Sequence, residues 1–240
     1  MTDDLDGSTV LVTGASSGIG RATAEAMATE GANLALAARS EDRIAALADR
    51  LDTDAVAVPT DVRDADDVEA LVEATVERFG GIDVLVNNAG VGRGSSVADL
   101  STGAYRQMME TNCDGMFFLA RAALPHLRDS GGTAVFIGSF AGQFPRSFNP
   151  VYAATKWWTR GFAKSLSAQA GDDVAVTVIN PSEVRTEFGS EDGERFEERF
   201  EPGEVTEPEE IAEAIVFAAT RSPSMVSELD LYRRDKLTDF

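Results

Sequence analysis

The chain has 240 residues, 43% of them hydrophobic, and its 41 acidic against 21 basic side chains give a formal net charge of −20. That sign disfavours sequence-independent binding to nucleic acid or to an anionic membrane surface. A single cysteine (Cys113) and a single histidine (His126) exclude an intrachain disulfide and a zinc site built on Cys and His.

No apolar run approaches the roughly 18 residues that a membrane span needs. The start, MTDDLDGS, is acidic and unlike a signal peptide. A cytoplasmic protein with one domain over residues 1–240 is expected, since undivided α/β folds often reach this length.

Thr9–Thr13 is a short β-branched run, and Arg21–Glu30 is Ala-rich and helical in pattern. Asn33–Ala38 is apolar and strand-like. Ser40 then reads as an N-cap, with Glu41 and Asp42 in the first turn. Ala55–Val58 is a third strand. Asp64–Phe79 is amphipathic and stops at Gly80-Gly81. Ile82–Val86 is continuously apolar, as in a parallel sheet buried on both faces. Helical stretches near Thr102–Arg128 lead to the strand Thr133–Ile137. A helix from about Val151 to Ala170 leads to Val174–Ile179. Thr206-Glu207-Pro208-Glu209 reads as a capping box before the apolar run from Ile211. Glu228–Leu231 completes about seven strands. The alternation predicts a Rossmann-type, doubly wound parallel sheet flanked by helices.

One stretch breaks the pattern. Between Glu187 and Glu210 lie 11 carboxylates and few aliphatics. Phe188, Phe196 and Phe200 are spaced to share one edge of a short helix. The stretch reads either as a solvated insertion or as a lid, at 187–205, over a ligand site.

Thr13-Gly14-Ala15-Ser16-Ser17-Gly18-Ile19-Gly20 follows the first strand and opens the first helix. Glycines there permit a tight turn and close backbone approach to a pyrophosphate at a helix N-terminus. Gly14–Gly18 also fits the G-x-S-x-G pattern of a hydrolase nucleophile. That reading needs a histidine base, and His126 beside Pro125 reads as a surface or helix-end residue.

Asn87-Asn88-Ala89-Gly90 closes the fourth strand, Ser139 ends the fifth, and Tyr152-Ala153-Ala154-Thr155-Lys156 opens the next helix. Together with the glycine turn, this ordered set resembles the single-domain short-chain dehydrogenase/reductase family, over about residues 7–232. Tyr152 and Lys156, four apart, share one helix face. An ammonium nearby lowers the pKa of a phenol, ordinarily about 10, towards a usable acid–base. The resemblance implies Tyr152 as acid–base, Ser139 as the oxygen anchor, and Lys156 as pKa shifter and ribose holder. Asn112 joins them as a relay residue, while Cys113 beside it reads as small buried packing.

A nicotinamide cofactor follows from the same resemblance. No Asp ends the second strand. Arg39 offers a planar fork to a 2′-phosphate, with Ser40 as a second donor and Arg43 as a further candidate, so NADP(H) is expected over NAD. Asp61 and Val62 match the adenine-contacting pair. Asn87, Ala89 and Gly90 match the segment lining the cofactor. Pro181, Val184 and Thr186 match the segment near its carboxamide. There the family's Pro-Gly keeps its Pro as Pro181 but loses the Gly, and Ser182-Glu183 follows instead.

Substrate-side residues are Ser139, Phe144, Glu183 and Phe188. Arg93 and Arg146 read either as surface residues or as partners for a substrate carboxylate. Trp157 and Trp158 read as core or subunit interface. The expected activity is hydride transfer between NADP(H) and a small alcohol/carbonyl pair (a ketone, semialdehyde or 3-hydroxy acid), in a homodimer or homotetramer without metal. The alternatives are a 3-oxoacyl thioester reductase and, more remotely, a non-catalytic NADP(H)-sensing protein. The acid surplus, spread over the expected helices, reads as salt adaptation.

Overall fold

The structure is a computed structural model that describes residues 5–189 and 194–238. Seven parallel strands form one sheet in the order β3-β2-β1-β4-β5-β6-β7. They are β1 (Thr9–Thr13), β2 (Asn33–Ala38), β3 (Ala55–Pro59), β4 (Val84–Asn87), β5 (Thr133–Ile137), β6 (Ala175–Pro181) and β7 (Glu228–Leu231). The helices are α1 (Gly18–Thr29), α2 (Glu41–Ala48), α3 (Ala65–Phe79), α4 (Thr102–Met109), α5 (Gly115–Ser130), α6 (Pro150–Ala170), α7 (Phe196–Arg199) and α8 (Pro208–Ala219).

Both sheet faces are buried, which explains the unbroken apolar strands. Side chains alternate along β1. Val10 and Val12 join a core with Met27 of α1, Ile44 of α2 and Ile215 of α8. Leu11 points the other way, to Leu71 of α3, Leu119 of α5 and Leu166 of α6. The strand order reverses between β1 and β4. Such a switch point opens a crevice beyond the carboxyl ends of the strands, where doubly wound folds bind ligands.

Local differences from the sequence reading have physical causes. The helical stretch from Thr102 is split by a π-helical turn at Glu110–Asp114, which buries Thr111, Asn112 and Cys113. Helix α8 is capped one residue later than the Thr206 box. Its N-cap is Glu207, paired with Glu210, whose carboxylate accepts from Glu207 N at 3.0 Å. Thr206 is held in a parallel bridge to Val184 instead. Ser40 stands at the N-cap of α2 without a side-chain cap bond.

Among the described residues no helix is long and apolar enough to cross a membrane. Many charge pairs are exposed, such as Arg50–Glu25 and Arg121–Glu69, both at 3.3 Å. Exposed pairs contribute about 0–1 kcal/mol each, so salt removes little by screening them. Salt removes more by screening the self-repulsion of a −20 chain, because the Debye length falls to about 3 Å at 1 M. The unfolding midpoint is therefore expected to rise from dilute buffer towards molar KCl. Greatest stability in dilute buffer would contradict this.

Candidate active site

The carboxyl ends of β1, β2, β4, β5 and β6 border one cavity of about 680 Å³. At its β1 side the chain turns through Gly14 (φ +67°) and Gly18 (φ +52°), in the left-handed region that favours glycine. A Cβ on Gly14 would lie 2.8 Å from Asn88 Nδ2, and one on Gly20 would lie 2.3 Å from the Gly14 carbonyl oxygen. Only glycine fits this cradle. Helices α2, α3 and α8 carry acidic residues in their first turns, but α1 carries none, and Ser17 makes no side-chain cap bond. The positive end of α1 is thus left for an outside anion.

Ser16, Ser17, Gly18, Ile19, Arg39 and Ser40 line the same cavity. Asp61 and Val62 line it too. Asp61 is gripped by the Arg63 guanidinium, which holds its carboxyl below the usual 3.8. Ala89, Gly90, Pro181, Val184 and Thr186 complete the wall along this side. A Cβ on Gly18 would meet Thr186 Cγ2 at 3.0 Å, so the segment after β6 closes down on the glycine turn. This cradle, with the Arg39 guanidinium at the end of β2, fits a dinucleotide.

Tyr152 and Lys156 lie one turn apart on α6 and face the cavity with Ser139. Lys156 is buried, and its Nζ donates to the Ile137 carbonyl at 2.8 Å. Ser139 follows β5, and its Oγ accepts from Ala141 N at 3.1 Å. Ser139 N donates to Asn180 Oδ1 at 3.3 Å, while Asn180 Nδ2 donates to Glu228 and Asp230.

The titration behaviour differs from the sequence expectation. Burial pushes the Tyr152 phenol above 10, although its hydrogen bond with Ser139 and the charge of Arg146 oppose the shift. The Lys156 Nζ stands 5.9 Å from the Tyr152 ring centroid and spends a donor on Ile137. Burial also lowers Lys156 to about 8. Its ammonium is therefore less comfortable folded than unfolded. That cost is full below pH 8 and fades as pH rises towards 10.5. Lys156→Met is expected to stabilise the cofactor-free protein at pH 7 by on the order of 1–3 kcal/mol, and less at pH 10. Denaturant unfolding at both pH values checks this. A variant less stable at pH 7 would show that the bond to Ile137 outweighs the burial cost.

Four expected residues do not reach the cavity wall. Asn87 is buried, with its Nδ2 donating to the Met116 carbonyl at 3.0 Å. The neighbouring Asn88 lines the cavity instead, bonding Thr13 O at 2.8 Å. Gly20 serves the packing of the turn. Asn112 sits one layer behind Gly90, its amide exchanging bonds with the Val91 backbone and donating to Thr155 Oγ1 at 3.0 Å. Both amide protons of Asn112 are thus spent, which leaves a relay through it to its acceptor oxygens. Phe144 stacks on Phe140 at 4.4 Å rather than lining the cavity.

Glu183 and Phe188 do line it. Phe188 touches the Tyr152 ring, with centroids 5.9 Å apart, and begins a chain of rings through Phe196 to Phe200. Part of the expected lid, residues 190–193, lies outside the described residues. Glu187 beside it accepts from Arg43 Nη1 at 2.9 Å. Trp158 stacks on Phe162 at 4.8 Å, whereas Trp157 is exposed. Residues missed in the sequence are Asn88, Asn180, Arg233 and Lys236. Only Asn88 left a local trace, as the second Asn of a quoted motif.

A glycine cradle for a dinucleotide, opening on a Ser, Tyr and Lys at the same strand ends, defines an oxidoreductase built on a nicotinamide site. The chain belongs to the short-chain dehydrogenase family: the family model described as short chain dehydrogenase matches residues 8–196. It is 36% identical to D-threitol dehydrogenase of Mycolicibacterium smegmatis, over 95% of this chain and 91% of that one. Among solved structures, an alcohol dehydrogenase from Thermococcus sibiricus complexed with 5-hydroxy-NADP is 32% identical, with TM-score 0.84, over 94% of this chain and 96% of that one. A 3-ketoacyl-(acyl-carrier-protein) reductase from Brucella melitensis, complexed with NADH, is 28% identical, with TM-score 0.86, over 94% and 97%. The protein is an oxidoreductase of the alcohol dehydrogenase type.

Proposed function

We propose that the protein is an NADP(H)-dependent carbonyl reductase and alcohol dehydrogenase acting on a small alcohol/carbonyl pair. One observation carries the reading: Ser139, Tyr152 and Lys156 open into the cavity that also holds the glycine cradle and Arg39.

When bound, the nicotinamide supplies or accepts the hydride. Gly14, Ser16, Ser17, Gly18 and Ile19 hold its pyrophosphate, Arg39 and Ser40 its 2′-phosphate, and Asp61 and Val62 its adenine. Ala89, Gly90, Pro181, Val184 and Thr186 flank the rest. Lys156 holds ribose hydroxyls. Ser139 positions the carbonyl oxygen by a hydrogen bond. Tyr152 donates its phenolic proton to that oxygen in reduction and removes it in oxidation. Burial pushes the phenol upward, so Tyr152 carries the proton that reduction uses. Of the stretch read as a lid, Phe188, Phe196 and Phe200 line the cavity and cover the substrate. The working form is a cytoplasmic homodimer or homotetramer, consistent with exposed Phe117 on α5 and Trp157 on α6.

The test is NADPH oxidation with a panel of simple ketones, semialdehydes and oxo acids, beside acetoacetyl thioesters. Turnover of free carbonyl compounds supports the reading. Turnover of the thioesters alone, favoured by the likeness to the Brucella melitensis reductase, would replace it with thioester reduction. No turnover alongside tight NADPH binding would leave a cofactor-sensing protein.

A further inference from the structure

The substrate end of the cavity is cationic, in a chain of net charge −20. Arg146, Arg233 and Lys236 all line it, and they converge on a single carboxylate, Glu183. Glu183 Oε1 accepts from Arg146 Nη2 at 3.4 Å and from Lys236 Nζ, while Arg233 Nε stands 4.0 Å from Oε2. Arg233 also pairs with Asp235 at 2.9 Å, on a side chain that is 66% exposed. Three cations thus meet two carboxylates, and one of those carboxylates looks out to solvent.

Burial makes this imbalance costly. The Lys236 and Glu183 side chains are only 7% and 16% exposed. A buried cation without a matching anion is destabilising, and the cost is relieved by an anion that arrives as ligand. Donors remain to receive one. Lys236 spends one of its three N–H groups on Glu183, and Arg146 spends one of five.

The position specifies which anion. Lys236 Nζ and Arg146 Cζ lie 4.8 and 4.9 Å from the centroid of Phe140, the residue that follows Ser139. Both cations thus flank the residue next to the oxygen anchor, in the cavity that Ser139 and Tyr152 line, and the charge of Arg146 bears on Tyr152. The phosphate cradle lies elsewhere, since Arg39 follows β2 while Glu183 follows β6 and Arg233 follows β7. At about 4.8 Å per strand, β2 and β7 are roughly 24 Å apart across the sheet. A 2′-phosphate held at Arg39 does not reach this cluster.

We propose that Arg146, Lys236 and Arg233 form a carboxylate subsite, and that the substrate is a small oxo acid/hydroxy acid pair with its acid group a few carbons from the reacting carbon. Glu183 holds the three cations in place and uses up part of their charge, which tunes the subsite for one carboxylate. The reaction is otherwise unchanged. The ketone carbon accepts hydride from NADPH and its oxygen accepts a proton from Tyr152, giving the hydroxy acid and NADP⁺. The inference rests on the carbonyl reductase reading, and its test separates the two.

Acetoacetate and ethyl acetoacetate present the same ketone with and without the charge. The wild-type protein, Arg146→Gln and Lys236→Gln are compared on both at one fixed salt concentration. Calorimetric titration of the NADP⁺-loaded proteins with levulinate adds a readout independent of turnover. Each variant is expected to raise KM for acetoacetate about tenfold to a hundredfold, the worth of a charge-assisted hydrogen bond. KM for the ester is expected to stay within about twofold, and levulinate binding to weaken in parallel. Arg146 stands on a loop, so its variant remains informative if the Lys236 variant unfolds. Equal losses on acid and ester, or a wild-type preference for the ester with no levulinate binding, overturn the subsite and leave the reductase reading intact. Levulinate binding that depends on Arg146, without NADPH oxidation by either ketone, keeps the subsite and overturns the reductase reading. Neither binding nor turnover overturns both.

Discussion

Tyr152→Phe is expected to lower kcat by about a hundredfold to ten-thousandfold, the usual worth of a positioned acid–base. NADPH affinity should stay within about threefold of wild type, because the ring and its packing on Phe188 are retained. The substitution removes one oxygen. That oxygen lies in a site where burial keeps it protonated, with Ser139 as its hydrogen-bond partner. No neighbouring side chain replaces it as a proton donor. Lys156 directs one N–H to Ile137 and stands 5.9 Å from the Tyr152 ring centroid, and the Asn112 amide bonds Val91 and Thr155. Single-turnover kinetics with excess enzyme would separate a lost chemical step from slow release. Near-normal turnover in Tyr152→Phe would remove the residue from the mechanism.

Arg39→Ala is expected to weaken NADPH binding about tenfold to a hundredfold and to leave NADH binding nearly unchanged. A guanidinium bonded to a phosphate is worth about 1.5–3 kcal/mol, and only NADPH carries the 2′-phosphate. Arg39 is exposed, and its charge bears on Asp61 nearby. Fluorescence titration of both cofactors against both proteins measures the effect. Equal losses for NADPH and NADH would assign Arg39 a general electrostatic role.

The elements were legible where one local pattern had one solution. β1, β2 and β5 are short apolar runs that only a sheet buried on both faces explains. Tyr152 and Lys156 declare a shared helix face by their spacing. Where two local solutions compete, the tertiary fold chooses. Thr206 with Glu209, and Glu207 with Glu210, both suit a capping box, and the bridge from Val184 to Thr206 decides for the second. Adjacent Asn87 and Asn88 must point to opposite sides at the end of a strand, and sequence does not say which side faces the cavity. Some features had no local trace. Lys236 meets Glu183 across 53 residues, so the cationic end of the cavity emerges only when β6 and β7 lie side by side. Spacing and the family resemblance together point to a Tyr152 phenol pulled down by Lys156. Burial, which spacing does not report, reverses the net shift.

The proposed reaction of this acidic chain is reduction of a carbonyl compound with NADPH at the site of Ser139, Tyr152 and Lys156. The most direct measurement is the initial rate of cofactor oxidation by the wild-type protein in molar KCl, with NADPH and NADH in parallel, with and without a saturating ketone or oxo acid. Carbonyl-dependent oxidation is expected, with kcat/KM at least about tenfold higher for NADPH than for NADH. No carbonyl-dependent oxidation of either cofactor would contradict it.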